Sequence, residues 1–274
     1  MDSSNATAKL YRGMDQAALD AGYDNSAAVA NSAQIVAGWQ KRSAVLRAAF
    51  PAGLDLRYGS AERSRIDYFE AKPGAPLLLF IHGGYWQRRA KEDFAFVAAG
   101  PLAHGINVAL AGYTLAPQKN LDRIVAEIFS ALDFLAQRHG SIHVSGWSAG
   151  GHLTALSMTH PAVKGGLAIS GIYDLEPIRL SYLNDKLGLD QEAARRNSPL
   201  LHLPAKSPPL YVTYGKAELP ELQRQSEQFG TAWREAGLPG KVAPLAGHDH
   251  FSVLEELASP GGALTGLART LLDR

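Results

Sequence analysis

The sequence predicts an α/β protein, an eight-stranded and mostly parallel sheet with helices on both faces. Three observations point there. Short runs of continuous apolar residues recur along the chain, as strands buried on both faces require. Stretches with three- and four-residue apolar spacing fall between them, as helices packing one stripe on a sheet require. The length, 274 residues, suits one such core.

The elements follow in order. Residues 1–50 are Ala-rich, with Pro-free pieces at 14–21 and 26–49. They read as an N-terminal helical segment laid over the core rather than a separate domain. Residues 54–58 and 65–69 interleave polar and apolar positions around a Gly-Ser-Ala-Glu turn, which suggests an antiparallel pair. Continuous apolar strands are expected at 76–81 (PLLLFI), 106–111, 142–145, 166–170 and 210–214, with a weaker last strand at 241–245. The clearest helix is 121–137, where Leu121, Ile124, Val125, Ile128, Phe129, Leu132 and Leu135 form one stripe. Other helices begin at Ser148, span 220–236, and close the chain at 264–272. Residues 175–207 carry Pro and charge and break the alternation. They read as a cap-like insertion above the sheet edge, within a single domain over 1–274.

Composition narrows the function. Lys and Arg total 27 against 26 Asp and Glu, so there is no basic excess to hold a nucleic acid. The absence of cysteine removes disulfides, thiolate zinc sites and a cysteine nucleophile. The start, MDSSNATAKLYRGMDQ, has no basic stretch followed by an apolar run, so no signal peptide is expected. The longest apolar run, near 76–81, is too short for a bilayer. A cytoplasmic protein without a membrane partner is expected, with a homodimer as the candidate assembly and no cofactor.

Three motifs carry chemistry. Gly146-Trp147-Ser148-Ala149-Gly150 matches G-x-S-x-G and sits between an apolar strand and a helical run. That context thrusts a nucleophilic serine above the sheet; the bland alternative is a chance glycine pair in a turn. His82-Gly83-Gly84-Tyr85-Trp86 directly follows the strand at 76–81. Its glycines let backbone N–H groups approach an oxyanion. Gly83, Gly84 and Ala149 are therefore the expected oxyanion donors, and His82 a histidine that holds the loop. Tyr85, Trp86 and Trp147 are candidate substrate-lining residues; Tyr85 and Trp86 are as well explained by loop packing.

Gly247-His248-Asp249-His250-Phe251 follows the last strand. Histidine suits a general base because its pKa lies near operating pH. His250 is preferred over His248. A metal pair of His248 and His250 with Asp249 is the competitor, but zinc needs at least three protein ligands and no further one stands out. The acid should follow the penultimate strand. There the chain reads Gly215-Lys216-Ala217-Glu218-Leu219-Pro220-Glu221. Glu218 is the choice and Glu221 the fallback; either also reads as a solvated residue at a helix start. Asp174 reads as a structural or pocket residue.

HGGYW, GWSAGG, SGIYDLEPI, LNDKLGLD, GKAELPELQRQS and GHDHFS occur in this order between residues 82 and 252. Together they resemble the α/β-hydrolase superfamily, within it the hormone-sensitive-lipase-like esterases, and most closely the kynurenine formamidase (arylformamidase) branch. The resemblance covers most of the chain after residue 50. Ser148 matches the family's nucleophile, His250 its base, and Gly83, Gly84 and Ala149 its oxyanion donors. The family's acid is usually aspartate, so Glu218 is a departure. The resemblance implies hydrolysis of an aryl formamide, such as N-formylkynurenine, or of small carboxylic esters. A substrate carboxylate would want a cation, and Arg88, Arg89 and Lys91 lie nearby in sequence. Besides a serine hydrolase, the classes in play are a metal-dependent hydrolase and a non-catalytic binder on the same fold.

Overall fold

A computed structural model of the chain describes residues 9–273. Residues 1–8, the start of the expected N-terminal segment, lie outside that range. In chain order the elements open with helices α1 (Gln16–Ala21), α2 (Asn25–Ala28) and α3 (Ser32–Ala49). Strands β1 (Leu56–Arg57), β2 (Arg65–Phe69) and β3 (Leu77–Ile81) follow. A 3-10 stretch, Lys91–Ala98, then runs into α4 (Ala99–Ala103) and β4 (Asn107–Ala111). After them come α5 (Leu121–Ala136), β5 (Ile142–Trp147), α6 (Ala149–Ser157) and β6 (Val163–Ile169). The short helices α7 (Glu176–Leu180), α8 (Asn184–Leu187) and α9 (Gln191–Arg196) precede β7 (Leu210–Gly215), α10 (Pro220–Glu235) and β8 (Gly240–Leu245). Helices α11 (Glu255–Ala258) and α12 (Ala263–Leu272) close the chain.

The eight strands form one sheet in the order β1-β2-β4-β3-β5-β6-β7-β8. β2 runs antiparallel to both β1 and β4, and every other pairing is parallel. Helices cover both faces, the arrangement of an α/β-hydrolase fold.

β3 shows why apolar runs make such a sheet. All five of its residues are buried. Leu77, Leu79 and Ile81 join the core under α5, α6 and α10, while Leu78 and Phe80 join the core under α3 and α12. Alternate side chains of a strand point to opposite faces, so a strand covered twice must be apolar throughout. Helix α5 turns its stripe to the first core and is capped by the Asn120 side chain, which accepts from Arg123 N–H.

The predicted boundaries move where polarity misleads. β6 starts at Val163 rather than 166, because exposed Lys164 interrupts the apolar run without ending the ladder. β1 shrinks to two residues. The helical stretch between β3 and β4 was not predicted. The insertion at 175–207 resolves into α7, α8, α9 and a 3-10 turn at Pro199–Leu201. His152 on α6 ties it down by a 2.7 Å bond to the Asn197 carbonyl. Trp39 of α3 is buried among Phe94, Phe96, Trp147 and Phe251. That packing lays the N-terminal segment on the sheet, directly behind the candidate site.

Candidate active site

The expected residues lie on the loops that follow β3, β5, β7 and β8. Ser148 sits between β5 and α6 at φ 58° and ψ −118°. A non-glycine residue in that region costs of order 1–3 kcal/mol and persists only where its surroundings enforce it. Here Ser148 N–H donates to the Ile169 carbonyl at 2.8 Å and Ser148 O accepts from His152 N–H. Gly150 lets the helix start close on the neighbouring strand, since a Cβ there would collide with the Ile81 carbonyl. Ala149 is the first residue of α6, so its N–H has no acceptor within the helix.

The loop after β3 lies beside Ser148. A Cβ on Gly83 would come within 3.0 Å of Ser148 Cβ and 2.7 Å of the Trp147 carbonyl. Gly84 adopts φ +111°, which L side chains rarely adopt. His82 is buried, stacked on Tyr113 with ring centroids 4.3 Å apart, and its Nδ1 lies 2.8 Å from the Gly83 carbonyl oxygen. Burial pushes its pKa down to about 3, so the ring is neutral and Nδ1–H donates. The Gly83 carbonyl is thereby turned toward the ring. In a trans peptide the following N–H, that of Gly84, points the opposite way. His82 thus sets the direction of a backbone donor without touching the cleft.

His250 and Glu218 are brought together. His250 Nδ1–H donates to Glu218 Oε2 at 2.8 Å, and the two side chains are 4% and 0% exposed. Glu218 Oε1 accepts from Ser170 Oγ at 2.5 Å and from Gly215 N–H at 2.6 Å. Each carboxylate oxygen therefore has its own partners, and the buried charge is hydrogen-bonded as burial demands. Glu221 lies elsewhere: it accepts from the Tyr23 hydroxyl and pairs with Arg224. His248 and His250 aim at different carboxylates, His248 Nε2 lying 3.5 Å from Glu256. Among the described residues, no cluster of three or more His, Asp or Glu side chains is placed to hold a metal.

Ser148, His250, Gly84, Tyr85 and Trp147 line one cleft. Its free volume is about 30 Å³, room for roughly one or two waters. The Trp147 ring lies tilted against the His250 ring with centroids 4.7 Å apart, and its Nε1–H donates to the His250 carbonyl at 2.7 Å. Tyr85 reaches the cleft wall, with its hydroxyl bonded to the Tyr23 carbonyl and to Asn25. Trp86 does not reach the cleft. It is fully buried, edge-on to His152, and its role is to pack the loop. Lys91 does not reach it either: it is 3% exposed and held by Asp55, Asp67 and Glu92. Arg88 and Arg89 do line the cleft.

Sequence reasoning missed three contributors. Ser170, at φ 51° and fully buried, holds Glu218. Asn25 and Ser26 bring the N-terminal segment to the cleft wall. Nothing in the sequence around these residues marks them; only the serine's place at the end of an apolar strand hints at the first.

A family model described as BD-FAE matches residues 68–165. Kynurenine formamidase of Danio rerio is 32% identical over 240 residues, covering 81% of this chain and 82% of that protein. The kynurenine formamidase of Drosophila melanogaster is 28% identical, covering 74% and 76%. Among solved structures, a candidate thioesterase from Silicibacter sp. TM1040 superposes with a TM-score of 0.85 at 29% identity, covering 93% of this chain and 99% of that one. A thermostable carboxylesterase cloned from a metagenomic library shares the fold, with a TM-score of 0.70 at 20% identity, covering 88% and 96%. With an esterase-like fold and repeated formamidase relatives, the chain belongs to the kynurenine formamidase family of α/β-hydrolases.

Proposed function

We propose that the protein is a serine hydrolase that cleaves a small amide or ester through an acyl-enzyme, with an aryl formamide of the N-formylkynurenine type as substrate. The observation that carries this reading is the convergence of Ser148, the Gly83-Gly84 backbone and the His250–Glu218 pair at one cleft. Ser148 Oγ attacks the carbonyl carbon while His250 Nε2 takes its proton. Glu218 holds the tautomer with Nδ1–H and stabilises the imidazolium. The oxyanion is met by the N–H groups of Gly83, Gly84 and Ala149. His250 then protonates the leaving amine or alcohol. Water attacks the acyl-serine with His250 again as base, releasing the carboxylic acid.

The narrow cleft favours a small acyl group such as formyl. The aryl remainder then lies along the open mouth beside Tyr85 and the two arginines. A general carboxylesterase uses the same residues on an acetyl-sized ester. The test is steady-state hydrolysis of N-formylkynurenine beside short-chain p-nitrophenyl esters, with Ser148→Ala as control. The formamidase reading expects a kcat/KM for the formamide well above that for the esters, lost by about 10⁴-fold or more in the variant. Activity on esters alone would leave a carboxylesterase. Wild-type turnover by Ser148→Ala would remove the mechanism and favour a non-catalytic role for the cleft.

A further inference from the structure

Arg88 and Arg89 stand at the cleft that holds Ser148 and His250. Arg88 is exposed and Arg89 half-buried. Among the described residues neither makes an ion pair. The neighbouring carboxylates are engaged elsewhere. Asp93 accepts from Gln40 Nε2 through one oxygen and from Ala90 N–H through the other. Asp24 accepts from Ala27 N–H. Arg88 has the Tyr85 ring at 5.8 Å and the Tyr182 hydroxyl as neighbours. Burial lowers the Arg89 pKa, Asp93 opposes that shift, and Arg88 adds to it. Two like charges side by side, one partly desolvated, cost energy unless a counter-charge arrives.

The backbone is arranged to hold this pair in place. Arg89 sits at φ 77°, in the left-handed region. Its carbonyl accepts from Arg63 Nη2 at 2.5 Å. A strained residue braced at a cleft is a common mark of a functional position. Beside Tyr85 a second polar group lacks a partner. The Tyr85 hydroxyl has one proton, given to the Tyr23 carbonyl at 2.6 Å. It must therefore accept from Asn25 Nδ2. That fixes the amide and leaves Asn25 Oδ1, buried and lining the same cleft, without a partner. The cleft beside the serine thus holds two arginines without a carboxylate partner, and an amide oxygen that a donor on the substrate could fill.

We infer that Arg88 and Arg89 form a subsite for a carboxylate on the substrate, so that the cleft selects anionic aryl amides or esters over neutral ones of the same shape. The planar guanidinium suits a planar carboxylate, which it binds through two parallel hydrogen bonds. Lys91, the other nearby cation, takes no part because its ammonium is spent on three carboxylates. The inference rests on the proposed hydrolase reading for the reaction, but the subsite itself is a matter of binding.

The experiment has two arms. In the first, kcat/KM is measured for para-carboxyphenyl acetate and its neutral partner para-carbamoylphenyl acetate, on the wild type, Arg89→Gln and Arg88→Gln. The wild type should prefer the carboxylate by roughly tenfold or more, the scale of a hydrogen bond to a charged group. That ratio should fall toward unity in Arg89→Gln and fall several-fold in Arg88→Gln. In the second arm, benzoate and benzamide are titrated by calorimetry into Ser148→Ala at fixed ionic strength, with and without Arg89→Gln. Benzoate should bind more tightly than benzamide and lose that advantage with the arginine. A ratio near unity in the wild type, or one that survives both substitutions, overturns the subsite and leaves the hydrolase reading standing. No hydrolysis of either ester or of N-formylkynurenine, with arginine-dependent benzoate binding intact, overturns the hydrolase reading and supports the subsite. Equal binding of benzoate and benzamide overturns the subsite whatever the hydrolysis shows.

Discussion

In the proposed mechanism Glu218 acts through one oxygen and is held by the other. Oε2 faces His250, while Ser170 and Gly215 N–H fill Oε1. The longer side chain reaches the histidine from a turn in which Glu218 N–H donates back to the Gly215 carbonyl. Glu218→Gln keeps the shape but offers an N–H where His250 needs an acceptor, so kcat should fall by about 10³–10⁴-fold. Glu221→Gln should leave kcat close to the wild type, since its oxygens serve Tyr23 and Arg224. Steady-state kinetics on both variants checks this, and equal effects would place the acid elsewhere. The choice between these glutamates was open from sequence alone, because both follow the same strand within a few residues. What sets Glu218 apart is its 2.8 Å contact with His250, presented by a turn at 215–218 whose backbone bonds no residue type announces.

At the scale of elements, α3 is fastened to the sheet by a charge cluster as well as by Trp39. Asp67 of β2 is fully buried and accepts from Arg47 Nε at 2.7 Å, Lys91 Nζ at 2.6 Å and Asp55 N–H at 2.9 Å. Burial pulls the Lys91 pKa down, but its bonds to Asp55, Asp67 and Glu92 more than offset this and raise it. Asp67→Ala would strand a buried ammonium with fewer partners, costing about 3–5 kcal/mol. Urea unfolding of the variant gives the number; a loss under about 1 kcal/mol would mean the cluster is solvated like a surface pair. The strands of this region were legible wherever both faces are covered, as at β3. They were not where one residue faces solvent, as at Lys164, or where a strand has only two residues, as β1. The Lys91–Ala98 stretch escaped because its apolar residues fit neither the helical nor the strand spacing over a long enough run.

For the molecule as a whole, buried histidines tie stability to pH. Burial lowers the pKa of His82 to about 3 and that of His152 to about 4, from an ordinary 6.5. Folded, both rings stay neutral; unfolded, each takes a proton near pH 6.5. The unfolded chain therefore binds more protons below that pH, and stability falls with falling pH through the window down to the folded values. Above pH 6.5 the contribution is complete. Each histidine adds a slope of about 1.4 kcal/mol per pH unit near pH 5. His82→Gln should lose one such slope in urea melts taken from pH 7 to pH 5, and an unchanged slope would contradict the neutral, buried ring.

Ser148, the glycine pair and His250 were readable because each follows a strand whose position is readable. Asn25, Ser26 and Ser170 were not, because they reach the cleft through tertiary packing. Trp86 stayed open between cleft lining and loop packing because residue type does not say which of two adjacent buried aromatic residues borders the cleft; Tyr85 does and Trp86 does not.

In the proposed mechanism Ser148 becomes acylated. Mixing the protein with p-nitrophenyl acetate, quenching in acid and weighing the intact chain tests it most directly. The expected result is a transient gain of one acetyl group, mapped by peptide digestion to Ser148 and absent in Ser148→Ala. An acetyl group on another residue, or hydrolysis at the wild-type rate in Ser148→Ala, would contradict it.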